Sequence, residues 1–186
     1  TNPRDIKNFI KELKKYKFTF ISGVNTLFNK LLLEKKFKDC DFSNLRITLG
    51  GGMLIQKSVA NQWQKITGCV LSVGYGLSET SPAASIDPIG RKDFSDSLGL
   101  PLPNTEFSIQ DDDGNHLDIN KKGEICIRGP QVMKGYWNKE KETKDVIDSE
   151  GWFKTGDIGI MDHYGYTKII DRKKDIIIIS GFNVYP

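Results

Sequence analysis

The 186 residues carry a net charge of +3, with 38% hydrophobic and 27% charged residues. This composition is typical of a soluble globular protein of one or two domains and excludes a disordered chain. The Lys/Arg runs are not interleaved with aromatic residues in the way typical of nucleic-acid binders, so no nucleic-acid partner is expected.

The cysteines and the basic runs indicate where the protein works. Cys40, Cys69 and Cys126 are widely separated and follow no metal-binding spacing, so reduced thiols in a cytoplasmic protein are expected. No apolar segment is long enough to span a membrane. The basic stretches KNFIKELKKYK and LLLEKKFKDC are interpreted as solvated helix faces, which also allow weak peripheral attraction to the anionic inner face of the cell membrane.

Residues 1–97 alternate between helical and strand patterns. Asn2 and Pro3 predict the start of a first helix. Its apolar face is predicted to hold Ile6, Phe9, Ile10 and Leu13. The strand-like stretches FTFIS, LRITL and CVLSV alternate with the helix-like stretches VNTLFNKLLLEKKF and IQKSVANQWQKIT. The inward residues of the second helix are predicted to be Val24, Leu27, Phe28, Leu31 and Leu32.

This alternation predicts parallel strands, with ligands beyond their carboxyl ends. The glycine-bearing loops 50–52 and 74–76 both lie at such ends. After residue 97 the pattern changes to short strands and turns, including an Asp113-Gly114 turn, so a small β-rich subdomain is expected. DRKKD, at 171–175, lies between two apolar strands and predicts a linker.

The stretch GYGLSET, residues 74–80, combines a tight glycine turn with oxygen ligands. Glu79 can hold Mg²⁺ against nucleotide phosphates, because Mg²⁺ takes one or two carboxylates together with phosphate oxygens. Ser78 and Thr80 can donate to a phosphate oxygen, and Tyr75 offers a flat face to a base. Taken alone, these seven residues are more typical of a solvated turn.

A second candidate is TGD, residues 155–157. Asp157 can accept both hydroxyls of a ribose, and the guanidinium of Arg172 can donate to ribose or phosphate oxygens. The alternatives are a turn aspartate and an exposed linker charge. His116 and His163 lie in predicted turns, have no partner implied by spacing, and are interpreted as surface residues.

A series of motifs covers nearly the whole chain. They are GVNTLFN, GGGM, GYGLSETSP, GLPLPNTE, DDDGN, GEICIRGPQVMKGYW, GWFKTGDIG and IIDRKKDIIIISGFNVYP. In this order they resemble the adenylate-forming acyl-CoA synthetases, and most of all the bacterial long-chain fatty-acid–CoA ligases. The resemblance implies that a fatty acid reacts with ATP to form an acyl-adenylate, and that coenzyme A then displaces AMP.

The resemblance also implies roles for single residues. Glu79 matches the Mg²⁺ ligand and Ser78 the contact to the α-phosphate. Tyr75 matches the aromatic residue that stacks on adenine, while Asp157 and Arg172 match the ribose contacts. The glycines that allow close backbone approach would be Gly50, Gly51, Gly52 and Gly76.

Towards the end of the chain, Lys174 falls at the family's hinge between the large and small domains, and Gly181 resembles the glycine beside which the pantetheine arm of CoA passes. Residues 23–26 resemble part of the acyl pocket wall. The family's Ser/Thr/Gly-rich phosphate loop has no counterpart in this sequence, and its catalytic lysine would lie beyond Pro186. The chain is therefore expected to be a central piece of the enzyme and to be inactive when isolated.

The expected fold is α/β, in three parts. Residues 1–97 would end a parallel α/β AMP-binding subdomain, residues 98–170 would form a β-rich, barrel-like subdomain, and residues 171–186 the hinge and first strand of a C-terminal domain. The expected ligands are ATP, Mg²⁺, CoA and a fatty acid, and a homodimer is compatible with the pattern. Two alternatives stay open: a non-catalytic adenine-nucleotide-binding module, and a medium-chain or aryl acid–CoA ligase.

Overall fold

The structure is a computed structural model that describes residues 2, 4–173, 177–179 and 182–184. The chain divides into two compact units. The first comprises Thr1–Tyr75 with Asp87–Asp96, and the second comprises Gly76–Ile86 with Ser97–Pro186. The predicted functional division near residues 97 and 170 stays a prediction.

The first unit combines helices with parallel strands. Its elements are α1 (Ile6–Leu13), β1 (Phe20–Gly23), α2 (Asn25–Leu33), β2 (Ile47–Gly50), α3 (Lys57–Thr67) and β3 (Leu71–Tyr75). β2 pairs in parallel with both β1 and β3, and Gly50 lies opposite Gly23 on one side and Val73 on the other. The predicted parallel α/β arrangement is therefore confirmed, with the carboxyl ends of adjacent strands at one edge of the sheet.

Aromatic packing fills the core between the helices and this sheet. The ring of Trp63 lies 4.8 Å from that of Phe28 and 5.3 Å from that of Phe37, measured between centroids. The indole Nε1 of Trp63 donates to Oγ1 of buried Thr48 at 3.0 Å, so the polar atom of this buried ring is satisfied. The prediction that Val24 faces inward is wrong: it is extended, precedes the first residue of α2 and is 39% exposed.

The first helix begins later than predicted. Asp5 is its N-cap, and its carboxylate accepts from the main-chain N of Asn8 at 3.1 Å and from the Asn8 side chain at 2.7 Å. Asn2 instead forms a local turn in which Oδ1 accepts from the N of Arg4 at 2.9 Å. Pro3 lies outside the described residues. The predicted start at Asn2 is wrong because Asp5 is the residue that satisfies the free N–H groups of the first turn.

The second unit is rich in antiparallel strands, as predicted. They are β4 (Ser85–Ile86), β5 (Leu100–Pro101), β6 (Glu106–Gln110), β7 (Gly123–Arg128), β8 (Phe153–Met161), β9 (Thr167–Arg172), β10 (Ile177–Ile179) and β11 (Phe182–Val184). β4 pairs with β5, and β6 to β9 form one sheet in chain order. β10 pairs with β11, where the sequence predicted a single strand.

Two further details of this unit differ from expectation. Asp171 and Arg172 belong to β9, so the predicted linker does not begin at Asp171, while Lys174 and Asp175 lie outside the described residues. A helix that the sequence pattern did not predict, α4 (Glu140–Val146), precedes β8. Within the described part of the chain, no helix has both the length and the apolar character needed to cross a membrane.

Candidate functional site

Close packing in the first unit explains the glycine run at residues 50–52, where β2 ends. A Cβ atom on Gly50 would lie 2.7 Å from a methyl carbon of Ile55 and of Leu71, so the core itself requires a glycine there. A Cβ atom on Gly51 would lie 3.0 Å from the carbonyl oxygen of Gly74, and Gly52 has a φ of +73°. The loop therefore lies against the end of β3, and its glycines allow this close approach of two backbone segments.

Tyr75 is the last residue of β3, at the same edge of the sheet as the glycine run. It is 9% exposed, so most of its ring surface is covered within the fold. The first unit thus contributes Gly50, Gly51, Gly52 and Tyr75, all at the carboxyl ends of neighbouring parallel strands. Such ends are where α/β sheets bind ligands.

The turn that follows belongs to the second unit, and Thr80 fixes it. Thr80 is fully buried, and its Oγ1 accepts from the N of Leu77 at 2.9 Å and donates to the carbonyl oxygen of Pro82 at 2.9 Å. The prediction that Thr80 donates to a phosphate is therefore wrong, because its hydroxyl is used inside the turn. A Cβ atom on Gly76 would overlap the carbonyl oxygen of Pro82, and this contact explains that glycine.

Ser78 and Glu79 form a short 3₁₀ turn with Thr80, and Ser78 is exposed. Glu79 is partly exposed and is held from the loop before α4. The N of Met133 donates to its carbonyl oxygen at 2.8 Å, and the hydroxyl of Tyr136 donates to its Oε1 at 2.9 Å. Burial, together with the bond to Glu79, raises the pKa of Tyr136, so its hydroxyl stays protonated and remains a donor.

Tyr136 is a functional candidate that the sequence reasoning did not single out. It is anchored through α4, since its main-chain N donates to Oγ1 of Thr143 at 2.9 Å. The stretch GPQVMKGYW contained the only available signal, an aromatic hydroxyl within a family motif, but nothing in its spacing points to Glu79.

The donor set around Glu79 fits one Mg²⁺ bound together with phosphates. Among the described residues there is no group of three or more His, Cys, Asp or Glu side chains that could enclose a metal ion. Mg²⁺ needs no such cage, because it usually takes one or two carboxylates and fills its other positions with phosphate oxygens and water. The bond from Tyr136 engages Oε1 of Glu79, and the carboxylate has a second oxygen to offer a cation.

Asp157 and Arg172 are brought together by the sheet. They lie opposite each other in β8 and β9, and Nε of Arg172 donates to Oδ1 of Asp157 at 2.9 Å. Asp157 is 3% exposed, whereas the Arg172 side chain is 57% exposed. A buried carboxylate beside a largely exposed guanidinium provides acceptors and donors in one place, as recognition of a ribose requires.

Lys174, the predicted hinge residue, and Gly181, the predicted neighbour of the pantetheine arm, both lie outside the described residues. Their roles stay predictions.

A cavity of about 430 Å³ in the second unit contains none of the predicted site residues. His116 lies on its wall, and its Nδ1 is 2.6 Å from Oγ of Ser108. His116 is exposed as predicted, and the fold pairs it with a serine that the sequence spacing does not imply. The pairing joins a residue of β6 to one that follows it by eight positions, across the turn after the strand. The second histidine, His163, is exposed as predicted.

Residues 1–137 match the family model described as AMP-binding enzyme. The chain belongs to this family. Glu79 and Tyr136 fall within the matched residues of this AMP-binding enzyme chain, and Asp157 and Arg172 follow them. The glycine loops at the strand ends therefore lie within the part of the chain that matches this AMP-binding enzyme family.

Relatives and solved structures extend this likeness over the remaining residues. The long-chain-fatty-acid–CoA ligase of Yersinia pestis is 53% identical over 186 residues, which are 100% of this chain and 33% of that protein. ATP-bound MatB from Rhodopseudomonas palustris has a TM-score of 0.85 and 30% identity, covering 100% of this chain and 36% of that one. O-succinylbenzoate coenzyme A synthetase (MenE) from Bacillus subtilis, in complex with ATP and magnesium ion, has a TM-score of 0.81 and 30% identity over 98% of this chain and 37% of that one. The chain thus spans about a third of the length of the curated relatives that it matches.

Proposed function

We propose that this chain is part of an ATP-dependent long-chain fatty-acid–CoA ligase. The observation that carries the proposal is the 53% identity to a long-chain-fatty-acid–CoA ligase over every residue of the chain. Among the described carboxylates, Glu79 would hold Mg²⁺ and Asp157 would bind the ribose. The whole protein would act on a fatty acid, ATP and CoA.

The reaction consists of two displacements. A carboxylate oxygen of the fatty acid attacks the α-phosphorus of ATP, and the bond to pyrophosphate breaks. The thiol of CoA then attacks the acyl carbon and AMP leaves with the bonding electron pair, while the thiol gives up its proton. The first step brings two anions together, so groups that offset negative charge lower its barrier.

Glu79 is the residue that would hold Mg²⁺ in this site. When bound, the cation would neutralise phosphate charge and stabilise the charge that develops in the transition state. The fit rests on the partly exposed carboxylate that Tyr136 orients, and the magnesium ion named in the MenE complex supports it by analogy. Ser78, exposed on the same turn, would contact the α-phosphate.

Three further residues carry the proposed contacts to the adenosine part of the nucleotide. Asp157 and Arg172 would bind the ribose hydroxyls, and Tyr75 would lie against the adenine. The support is the buried Asp157 carboxylate with its Arg172 partner, together with the ATP-bound state of the similar MatB structure.

Formation of the thioester by the full-length protein is the direct test. Purified enzyme, palmitate, ATP and CoA should yield palmitoyl-CoA, AMP and pyrophosphate in equal amounts, and without CoA the adenylate should accumulate on the enzyme. Nucleotide binding without release of AMP would indicate a non-catalytic module instead. A higher kcat/KM for octanoate or 4-coumarate than for palmitate would identify a medium-chain or aryl acid ligase.

Location and assembly are also proposed. A cytoplasmic enzyme that binds weakly to the inner face of the membrane would meet its apolar substrate there, and the exposed lysines of α1, Lys7 and Lys11, offer positive charge for such contact. Vesicle sedimentation with anionic and neutral lipids would test this contact, and light scattering would test the proposed homodimer.

A further inference from the structure

Glu124 is a buried carboxylate in the middle of the antiparallel sheet of the second unit. It lies in β7, and its side chain is 8% exposed. Its Oε1 accepts from the main-chain N of Gly156 at 2.8 Å, and its Oε2 lies 2.9 Å from Nζ of Lys173. A carboxylate at this depth destabilises a fold unless each oxygen is hydrogen-bonded and the charge is paired, and here both conditions are met.

The two partners of Glu124 are the chain neighbours of the proposed ribose pair. Gly156 directly precedes Asp157, and Lys173 directly follows Arg172. Asp157 and Arg172 themselves lie opposite each other in β8 and β9. Each oxygen of the Glu124 carboxylate therefore holds one of the two strands that carry this pair.

The pairing of β7, β8 and β9 is irregular around Glu124. The register between β7 and β8 shifts between Glu124 and Cys126, and the register between β8 and β9 shifts between Ile158 and Gly159. In this irregular stretch the N–H of Gly156 bonds to the Glu124 carboxylate. A β-bulge redirects a side chain and commonly lies beside an active site.

The ammonium group of Lys173 pairs with a second carboxylate besides that of Glu124. Its Nζ also lies 2.8 Å from Oδ1 of Asp112, whose side chain is 92% exposed. Burial lowers the pKa of Lys173, but the bonds to Asp112 and Glu124 outweigh this effect and raise it overall. Lys173 therefore stays a cation and can balance the buried charge of Glu124.

We propose that Glu124 is a positioning residue for nucleotide binding, which fixes Asp157 and Arg172 through Gly156 and Lys173. The proposal rests on the proposed function, in which Asp157 and Arg172 bind the ribose. Glu124 itself would not touch the nucleotide, and its effect would reach the ligand only through the strands that it joins.

The test compares substitutions of Glu124 with a matched control in the full-length protein, using calorimetry with AMP. Glu124→Ala should weaken AMP binding by about tenfold, the equivalent of one charged hydrogen bond. Glu124→Gln should weaken it less, because the amide oxygen still accepts from Gly156. Glu106→Ala is the control, since it removes an exposed carboxylate paired with Arg128 in the same sheet, and it should leave AMP affinity unchanged.

A double variant separates positioning from a general loss of stability. Because Glu124 would act through Asp157 and also through Arg172, the variant with both Glu124→Ala and Asp157→Ala should lose less AMP affinity than the product of the two single losses. The KM for ATP should rise in Glu124→Ala more than kcat at saturating ATP falls. Multiplied effects in the double variant, or wild-type AMP affinity in Glu124→Ala, would overturn the proposal.

Two further results distinguish a failure of the role proposed for Glu124 from a failure of the ribose assignment. Weak AMP binding by Asp157→Ala together with normal binding by Glu124→Ala would overturn the role of Glu124 and leave the ribose assignment in place. Normal binding by Asp157→Ala would overturn both. If Glu124→Ala does not fold, Lys173→Met tests the same connection, because it keeps the apolar stem and removes the charge; unchanged AMP affinity in that variant would count against the proposal.

Discussion

Glu79 illustrates how much of a candidate site depends on one charge. Its carboxylate is partly exposed, and the loop before α4 holds both its main chain and its Oε1. These contacts fix the position of the residue whether or not it carries a negative charge. The charge itself is required only if a cation binds.

Replacing Glu79 by glutamine should therefore separate the fold from the chemistry. The amide keeps the size of the side chain and an acceptor for Tyr136, but it loses the charge that would anchor Mg²⁺. We expect adenylation to slow by about 100-fold, equivalent to about 2.7 kcal/mol, with an unchanged melting temperature. Pyrophosphate exchange measures the rate, and a wild-type rate in Glu79→Gln would show that Glu79 is only a turn residue.

Tyr136 provides an independent test of the same site. Tyr136→Phe removes the hydroxyl that donates to Oε1 of Glu79 and leaves the ring in place. One hydrogen bond to a charged group is worth about 1.5 kcal/mol, so we expect adenylation to slow by about tenfold and the half-saturating Mg²⁺ concentration to rise. Trp137→Phe, at the neighbouring residue that is 89% exposed, should change neither quantity. An unaltered Mg²⁺ titration in Tyr136→Phe would contradict the role assigned to this hydroxyl.

At the scale of single elements, strand β7 places a cysteine where its thiol should react very slowly. Cys126 is 1% exposed, and burial, followed by the charge of Glu124, raises its pKa to about 12. At pH 8 the thiolate fraction of such a group is about 10⁻⁴, so alkylation by iodoacetamide should be very slow in the folded protein. Peptide mapping by mass spectrometry should find Cys126 labelled only in denaturant, and rapid labelling under native conditions would refute this.

The same shift has a consequence for stability against pH. In the unfolded chain the thiol ionises near its ordinary pKa of 9.0, whereas in the fold it stays neutral up to about 12. The folded pKa is the higher one, so this contribution to stability is fully present below pH 9 and is lost as the pH rises towards 12. In Cys126→Ala this part of the alkaline loss should be absent from urea unfolding curves.

Some elements could be predicted from the sequence and others could not, for physical reasons. The parallel core of the first unit follows from buried strands alternating with amphipathic helices, and that periodicity is local. α4 has no buried residue, so its sequence EKETKDV shows no apolar stripe to indicate a helix. Asn2 and Asp5 are both good capping residues, and only the bonds from Asp5 to Asn8 decide between them.

Some of the candidate site residues could likewise be predicted from the sequence, and others could not. Asp157 and Arg172 were identified separately, and the cross-strand register of β8 and β9 joins them. The partner of Glu79 lies 57 residues further along the chain, in a loop that α4 anchors. No local spacing encodes a contact of that separation, so Tyr136 became evident only in the folded chain. Thr80 was misassigned because a buried hydroxyl and an exposed one look alike in sequence.

At the scale of the whole molecule, each compact unit carries candidate residues of its own. The glycine run and Tyr75 lie in the first unit, and Glu79, Asp157 and Arg172 lie in the second. Each of these groups suits binding, orientation or charge stabilisation, and none forms a nucleophile with a partnering base among the described residues. The proposed adenylation depends on holding two substrates in place, and this positioning supplies much of the reduction in the activation barrier.

This dependence predicts how the 186 residues behave alone. The chain spans about a third of the length of its curated relatives, and its sequence contains no Ser/Thr/Gly-rich stretch resembling the family's phosphate loop. The resemblance implies that this loop holds the β- and γ-phosphates. Without it the α-phosphorus and the fatty-acid carboxylate would not be aligned, and misalignment by about 1 Å can slow a reaction by about 100-fold. We therefore expect the isolated chain to form no palmitoyl-CoA from palmitate, ATP and CoA above the uncatalysed rate. Chromatographic detection of the thioester, with the full-length protein as the positive control, measures this directly, and turnover by the isolated chain would show that these residues suffice for catalysis.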